Sequence, residues 1–82
     1  MASKIVILDD DRRQIFDYEN GTNVIYIGKA HPLSLVSESK WQIRKFTYDA
    51  NNSVTNIEFA SGTNLYDKVW NNRTTYDYTP DS

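Results

Sequence analysis

The sequence predicts a small, mainly β fold, and three features of its composition predict it. Tyr, Trp and Phe make up 13% of the 82 residues, and these types favour the half-buried surface of a sheet. Short apolar runs alternate with Asn, Asp and Gly, which are typical of turns. Ala and Leu, which are good helix formers, are sparse. We expect an all-β domain: a small antiparallel β-sandwich or barrel-like sheet of about five to six strands, with one short helical turn near residues 64–70.

Three strands are predicted in the first third of the chain. The first, residues 4–8, is apolar on both faces and is therefore expected to be covered on both; the consecutive aspartates 9–11 end it. The second covers residues 14–18. Asn20-Gly21 is the strongest hairpin signal, because both residues tolerate the positive φ of a type I′ turn. It predicts pairing with a third strand over residues 23–29.

A loop over residues 30–39 follows the first hairpin. Pro32 removes a backbone donor and forces His31 towards extended geometry. Leu33, Leu35 and Val36 are apolar residues within this otherwise polar segment. Because long loops in small domains are often functional, we expect this one to dock on the core of the domain or on a neighbouring molecule.

A second hairpin is predicted from residues 41–49 and 54–60, joined by a turn at residues 50–53. The apolar pattern changes phase within its first strand. Trp41 and Ile43 share one face, whereas Phe46 and Tyr48 share the other. Two explanations remain open: a bulge near Arg44-Lys45, or a central strand with contacts on both faces.

The end of the chain predicts one helical turn and one further strand. Leu65 and Val69 are four residues apart, as are Tyr66 and Trp70, which favours a short helical turn at residues 64–70. Residues 73–78 resemble a last strand, with Tyr76 and Tyr78 on one face. Residues 1–78 thus form a single domain, and residues 79–82 a frayed tail.

Composition excludes several kinds of site. The chain has no Cys and a single His, His31, so disulfides, thiolate metal sites and paired-His metal sites are ruled out. His31 lies in a loop before Pro32, where a solvated residue is a simpler interpretation than a catalytic base. The aspartates 9–11 lack the spacing of a calcium loop, and a solvated acidic turn is the simpler interpretation. We expect no catalytic activity, no metal and no cofactor.

Charge and hydropathy exclude two kinds of partner. The net charge is −2 and the basic residues form no stripe, so no nucleic-acid partner is expected. The apolar run 5–8 is too short for a signal peptide or a membrane span. The chain is therefore expected to be made in, and at first to stay in, the cytoplasm.

The aromatic residues exceed what so thin a core needs. Tyr and Trp are enriched at interfaces, where the ring packs and the polar tip stays wet. Trp41 and Trp70 could instead form the core, and exposed aromatics could also bind a sugar. With neither disulfides nor metal available, oligomerisation remains the usual support for so small a domain. The predicted interface residues are Leu33, Leu35, Val36, Trp41, Tyr66, Trp70, Tyr76 and Tyr78.

Four segments, in this order, resemble short structural proteins of tailed bacteriophages. They are Tyr26-Ile27-Gly28-Lys29-Ala30, Trp41 to Tyr48, Ile57-Glu58-Phe59-Ala60 with Gly62, and Tyr66 to Arg73. The resemblance implies a virion component that decorates the capsid, joins head to tail or belongs to the tail or a fibre. Its partners would be itself, as a homo-oligomer, and other virion proteins. Residues 31–33 depart from the pattern, so the role of that loop is the least transferable.

Two other functions remain open on the sequence. One is a receptor- or carbohydrate-binding module of the phage tail, in which Trp41, Tyr48 or Trp70 would stack on a host surface glycan. The other is a small inhibitor of a host enzyme. The charge of only −2 argues against an inhibitor that mimics DNA.

Overall fold

The computed structural model describes residues 4–9, 12–19 and 21–78 and contains six strands. Two short 3₁₀ segments, Ala60–Gly62 and Trp70–Thr75, interrupt the extended chain near its end. The strands are β1 (Lys4–Asp9), β2 (Arg13–Glu19), β3 (Tyr26–Ala30), β4 (Ser39–Tyr48), β5 (Val54–Phe59) and β6 (Lys68–Val69).

The strands form one antiparallel sheet in the order β1-β2-β3-β4-β5, and β6 pairs with the start of β4. Each strand from β1 to β5 lies beside its neighbour in sequence, as expected for successive hairpins. The prediction of a mainly β, antiparallel fold of five to six strands is confirmed.

The first hairpin is confirmed, but its turn is longer than predicted. A two-residue turn at residues 20–21 would place Glu19 opposite Thr22, whereas the observed register places Asp17 opposite Tyr26. The chain already turns at Glu19, which has a φ of 52°. The third strand therefore begins at Tyr26, three residues later than predicted. Residue 20 itself lies outside the described part of the chain.

The second hairpin is confirmed, and the structure decides between the two explanations of the phase change. Strand β4 pairs with β3 on one side and with β5 and β6 on the other. The register is regular through Arg44 and Lys45, and the irregularity in the β4–β5 ladder lies between Thr47 and Tyr48. Phe46 and Tyr48 are half-buried on the face opposite the buried Trp41 and Ile43, so contacts on both faces are the correct explanation.

One face of the sheet is covered by residues 60–78, which we call the covering segment. Ile15, Gly28 and Ile43 are cross-strand partners on that face. A Cβ atom at Gly28 would lie 2.6 Å from the Trp70 ring, so only glycine lets the indole lie this close to β3. The Trp41 and Trp70 rings are 6.1 Å apart and complete the centre of the core.

Two predictions for the covering segment are wrong in position or type. The helical turn expected near residues 64–70 lies further on, as the 3₁₀ segment Trp70–Thr75, and Lys68–Val69 is a strand. Residues 73–78 form no strand. They fold back over the sheet instead, where the Tyr78 hydroxyl donates to the carbonyl of Arg73 at 2.8 Å. The predicted tail, residues 79–82, lies outside the described residues.

Strand β1 is not covered on both faces, contrary to expectation. It is an edge strand, and Ile5, Ile7 and Leu8 are 41–48% exposed. The physical reason is that the covering segment does not extend as far as β1. Its Trp70 packs against Gly28 of β3 and Trp41 of β4. These two strands lie two and three positions away from β1 in the sheet. A sequence pattern shows that a strand is apolar but not how far its cover extends.

Candidate assembly surface

The loop between β3 and β4 is held in one shape by its own hydrogen bonds. The Ser34 amide donates to the carbonyl of His31 at 3.2 Å, and the Glu38 amide donates to that of Leu35 at 3.1 Å. In return, the Leu35 amide donates to the Glu38 carboxylate at 2.7 Å. This bond, helped by the nearby Lys40 ammonium, lowers the pKa of Glu38 below its ordinary value.

Three further bonds fix the same loop to the rest of the domain. The Trp41 indole donates to the carbonyl of Leu35 at 2.9 Å. The Asn71 amide donates to the carbonyl of Val36 at 3.1 Å, and the Arg13 guanidinium donates to that of Ser34 at 3.1 Å. Groups from β2, β4 and the covering segment therefore hold the loop, although most of its side chains face water.

The loop exposes two leucines, of which Leu33 shares a depression with the Tyr66 ring. Leu33 is 85% exposed and has a φ of 69°, a left-handed conformation that costs a residue with a Cβ about 1 kcal/mol. Leu35 is 60% exposed. Tyr66, under the Arg12 guanidinium, lines with Leu33 a shallow depression of about 490 Å³. We call Leu33, Leu35 and Tyr66 the loop surface.

The predicted interface residues separate into three groups. Leu33, Leu35 and Tyr66 lie at the loop surface. Val36 and Tyr76 are half-buried and pack against the core. Trp41, Trp70 and Tyr78 are core residues, at most 9% exposed, and this corrects their assignment to an interface.

Burial also prevents most of the aromatic residues that were expected to stack on a sugar from doing so. Trp41 and Trp70 are 0% and 3% exposed, so neither ring can stack on a glycan. Tyr48 is half-buried, and its hydroxyl donates to the carbonyl of Val24 at 2.8 Å. The aromatic excess is therefore explained largely by the core, which was one of the alternatives that the sequence left open.

Tyr78 shows the electrostatic effect of this burial. Its ring lies 5.6 Å from that of Tyr26. Burial raises the pKa of both phenols above the ordinary value, and the neighbouring phenol adds to the effect for Tyr78. Both phenols therefore stay neutral to a higher pH than an ordinary tyrosine.

A buried ion pair was missed by the sequence analysis. Asp17 is 1% exposed, and its carboxylate accepts from the Arg73 guanidinium at 2.8 Å and from the Glu19 amide at 2.8 Å. Arg73 also lies 4.6 Å over the Trp70 ring. The available signal was the alternation of β2, which places Asp17 on the same face as the buried Ile15.

The structure also bears on a metal site at the acidic turn and on a membrane span. Asp9 lies 3.5 Å from Arg13, and residues 10–11 lie outside the described part. No group of three or more His, Asp or Glu among the described residues could hold a metal ion. No helix in the described ranges is long and apolar enough to cross a membrane.

Comparison with known proteins identifies no relative. No protein-family model matches the chain, and neither a curated protein nor a solved structure shows significant similarity to it. The geometry of the loop surface is therefore the structural observation on which a functional proposal rests.

Proposed function

We propose that this protein is a structural subunit of a bacteriophage particle that acts by assembly, with copies of itself and with other virion proteins, and without catalysis. The observation that carries the proposal is the loop surface, where Leu33 is 85% exposed on a loop that is bonded to three parts of the domain. The mature location would be the virion, as a capsid decoration, a connector or a tail component.

Rigidity is what makes the exposed leucines suited to binding. Association costs about 0.5–1.5 kcal/mol for each flexible side chain that it immobilises, and more when a loop must be ordered. The loop surface avoids much of that cost, since its backbone is already fixed by the indole of Trp41 and the amide of Asn71. The strained φ of Leu33 supports the same role, because local strain is often kept at functional sites.

The ordered segments within residues 24–78 point in the same direction. Two of them supply structural parts of the fold: Gly28, on which Trp70 packs, and the segment that carries Trp70 and Arg73. They therefore suggest a shared fold. The loop surface, which departs from the pattern at residues 31–33, would then set the partner of this particular chain.

The proposal is tested by incorporation into particles of the phage that encodes the chain. Mass spectrometry of purified particles should find the wild-type chain at a fixed copy number. The Leu33→Ser/Leu35→Ser double variant should fall by about tenfold or more, since burying each leucine side chain contributes about 1.5–3 kcal/mol and serine removes that contribution.

Ile57→Ser is the matched control, because Ile57 is 51% exposed but lies on β5. It should be incorporated normally. Absence of the wild-type chain from the particles would overturn the proposed function. Normal incorporation of the double variant would overturn the role of the loop surface.

A further inference from the structure

The face of the sheet opposite the covering segment, which we call the open face, carries aromatic rings that take no part in the core. One row of cross-strand partners crosses it from β1 to β5. The row consists of Val6, Phe16, Ile27, Arg44 and Phe59. Phe46 follows Arg44 on the same face of β4, so all three phenylalanines of the chain lie on the open face. Each of them is half-buried, whereas Ile15 and Ile43 on the covered face are 1% exposed.

One end of the open face is concave. Alternation places Tyr18 after Phe16 on β2 and Tyr48 after Phe46 on β4. Tyr18, Phe46 and Tyr48 are among the residues that line a depression of about 700 Å³. A flat ring of the size of a nucleobase therefore has room to lie against these side chains.

The charged side chains that the strands direct to the open face are all basic. Alternation places Lys29 after Ile27 on β3, and Arg44 lies in the central row. Lys4 lies 4.8 Å over the Tyr18 ring. Burial raises the pKa of Tyr26, and the Glu19 carboxylate adds to this effect, which places Glu19 near the covered face. The other carboxylates of the strands alternate onto the covered face as well. They are Asp9, Asp17 and Glu58.

Two of these cations are unpaired. Lys29 and Arg44 form no ion pair with any residue in the described part of the chain. Lys40, at the start of β4, differs because its ammonium lies 3.5 Å from the Glu38 carboxylate. Lys29 and Arg44 stand apart in the sequence, but the pairing of β3 with β4 makes them diagonal neighbours. The open face is thus locally positive, although the net charge of the chain is −2.

We propose that the open face binds single-stranded nucleic acid. Lys4, Lys29 and Arg44 contact the phosphates, and unpaired bases stack on the exposed rings. Proteins that bind single strands combine cations with aromatic rings in this way, and some RNA-binding sheets present such rings on an open face. The activity goes beyond the assembly function and does not depend on it. The contrary expectation from the sequence rested on the scattered order of the cations, which the fold brings together.

The arrangement of the open face selects this ligand over other occupants. A second copy of the chain seated on it would bring cations against cations. An acidic segment of another protein usually pairs with a sheet edge or lays a helix into a groove, whereas Lys29 and Arg44 lie on the central strands β3 and β4. A duplex hides the faces of its bases from the rings and leaves only the contacts to phosphate.

The first test measures the binding of a fluorescein-labelled oligothymidylate to the full-length chain by fluorescence anisotropy. A length of about 12 nucleotides is within the range that one small β domain covers. The wild type should bind saturably in low salt. Its affinity should fall as salt rises, with a log–log slope of about −2 for three phosphate contacts. Absence of saturable binding, or an affinity that does not change with salt, would overturn the proposal.

The second test removes one cation. Arg44→Gln should weaken binding by about fivefold or more and make the salt slope shallower by about 0.7. Lys45→Gln is the matched control, because Lys45 is the next residue and is also half-buried, but its ammonium lies 5.9 Å over the Tyr26 ring on the covered face. It should bind like the wild type. Equal weakening by the two variants would rule out the open face as the site.

The third test removes one ring and keeps the charge. Phe46→Leu should weaken binding by about fivefold or more, because a base loses its stacking partner, and the salt slope should not change. Tyr66→Leu is the control, since Tyr66 is 39% exposed but lies at the loop surface. Circular dichroism should show the same β signal in every variant, and Phe59→Leu replaces Phe46→Leu if that variant does not fold. Unchanged binding by the ring variant would overturn stacking on this face.

Competition identifies the class of ligand. Unlabelled oligothymidylate should displace the probe, whereas polyglutamate at the same concentration of charge should be about tenfold less effective, since it offers no bases to the rings. A duplex of the same length should also be the weaker competitor. Equal displacement by polyglutamate would overturn the proposal in favour of an acidic protein partner, and stronger displacement by the duplex would overturn the role of unpaired bases.

Discussion

The covered centre of the sheet and its first strand contain the same kinds of residue in opposite environments. Ile15 and Ile43 are 1% exposed under the covering segment, whereas Ile7, the cross-strand partner of Ile15, is 47% exposed. The difference comes from the reach of the covering segment. It is anchored over β2 and β3 by the Asp17–Arg73 pair and by Trp70 on Gly28. Burial in this protein is thus decided by a few anchors rather than by strand composition.

The largest effect is expected from the anchor that joins the covering segment to β2. Asp17→Asn should lower the free energy of unfolding by about 3 kcal/mol, because it leaves the largely buried Arg73 guanidinium without its counter-charge. Urea denaturation measures the change. Asp9→Asn removes the pair between the exposed Asp9 carboxylate and the partly buried Arg13, 3.5 Å apart, and should cost less than about 1 kcal/mol. Equal losses would mean that the buried pair is not an anchor.

A smaller loss is expected where Trp70 lies against β3. Gly28→Ala should destabilise the domain by about 2 kcal/mol, because the new methyl group would overlap the indole and force it outwards. Thermal unfolding measures the effect, and near-ultraviolet circular dichroism follows the displaced ring. At Gly21 an added Cβ would meet no atom closer than 3.8 Å. A stability loss from Gly21→Ala as large as that from Gly28→Ala would contradict this explanation.

The smallest stability losses are expected from removing one methylene in each of the two environments. Ile43→Val should cost about 1 kcal/mol, the usual value for a packed core. Ile7→Val should cost less than about 0.5 kcal/mol in the monomer, since Ile7 already contacts water. Chemical denaturation at concentrations where the chain is monomeric gives both values. Similar losses would show that β1 is better packed than its exposure indicates.

The hairpins and the core strands could be predicted because their signals are local. Alternation placed Trp41 and Ile43 on one face, and both are buried. The Asp49 side chain closes the second turn by accepting from the amides of Asn51 and Ser53, and such short-range chemistry is visible in a sequence. The register of the first hairpin was harder to predict, because it depends on the residue at which the chain begins to turn, which is Glu19.

The covering segment and the loop surface could be predicted only in part. The i, i+4 pairs of residues 64–70 suggested a helical turn, yet Lys68–Val69 pair with β4 instead. Such pairing satisfies backbone groups that no local pattern specifies. Aromatic residues indicated an interface, but the ring of Trp70 packs on Gly28 in the core. The loop was expected to dock on the core of the domain or on a neighbouring molecule. Val36 packs against the core, whereas Leu33 and Leu35 are exposed.

The sequence by itself determined the class of the fold, because residue preferences and turn chemistry act over a few neighbouring residues. It also determined which side chains alternate together on each strand. Only the tertiary structure decided which of those faces are covered and which edge stays open. The physical reason is that burial depends on contacts between residues far apart in the chain, such as Asp17 with Arg73 and Gly28 with Trp70.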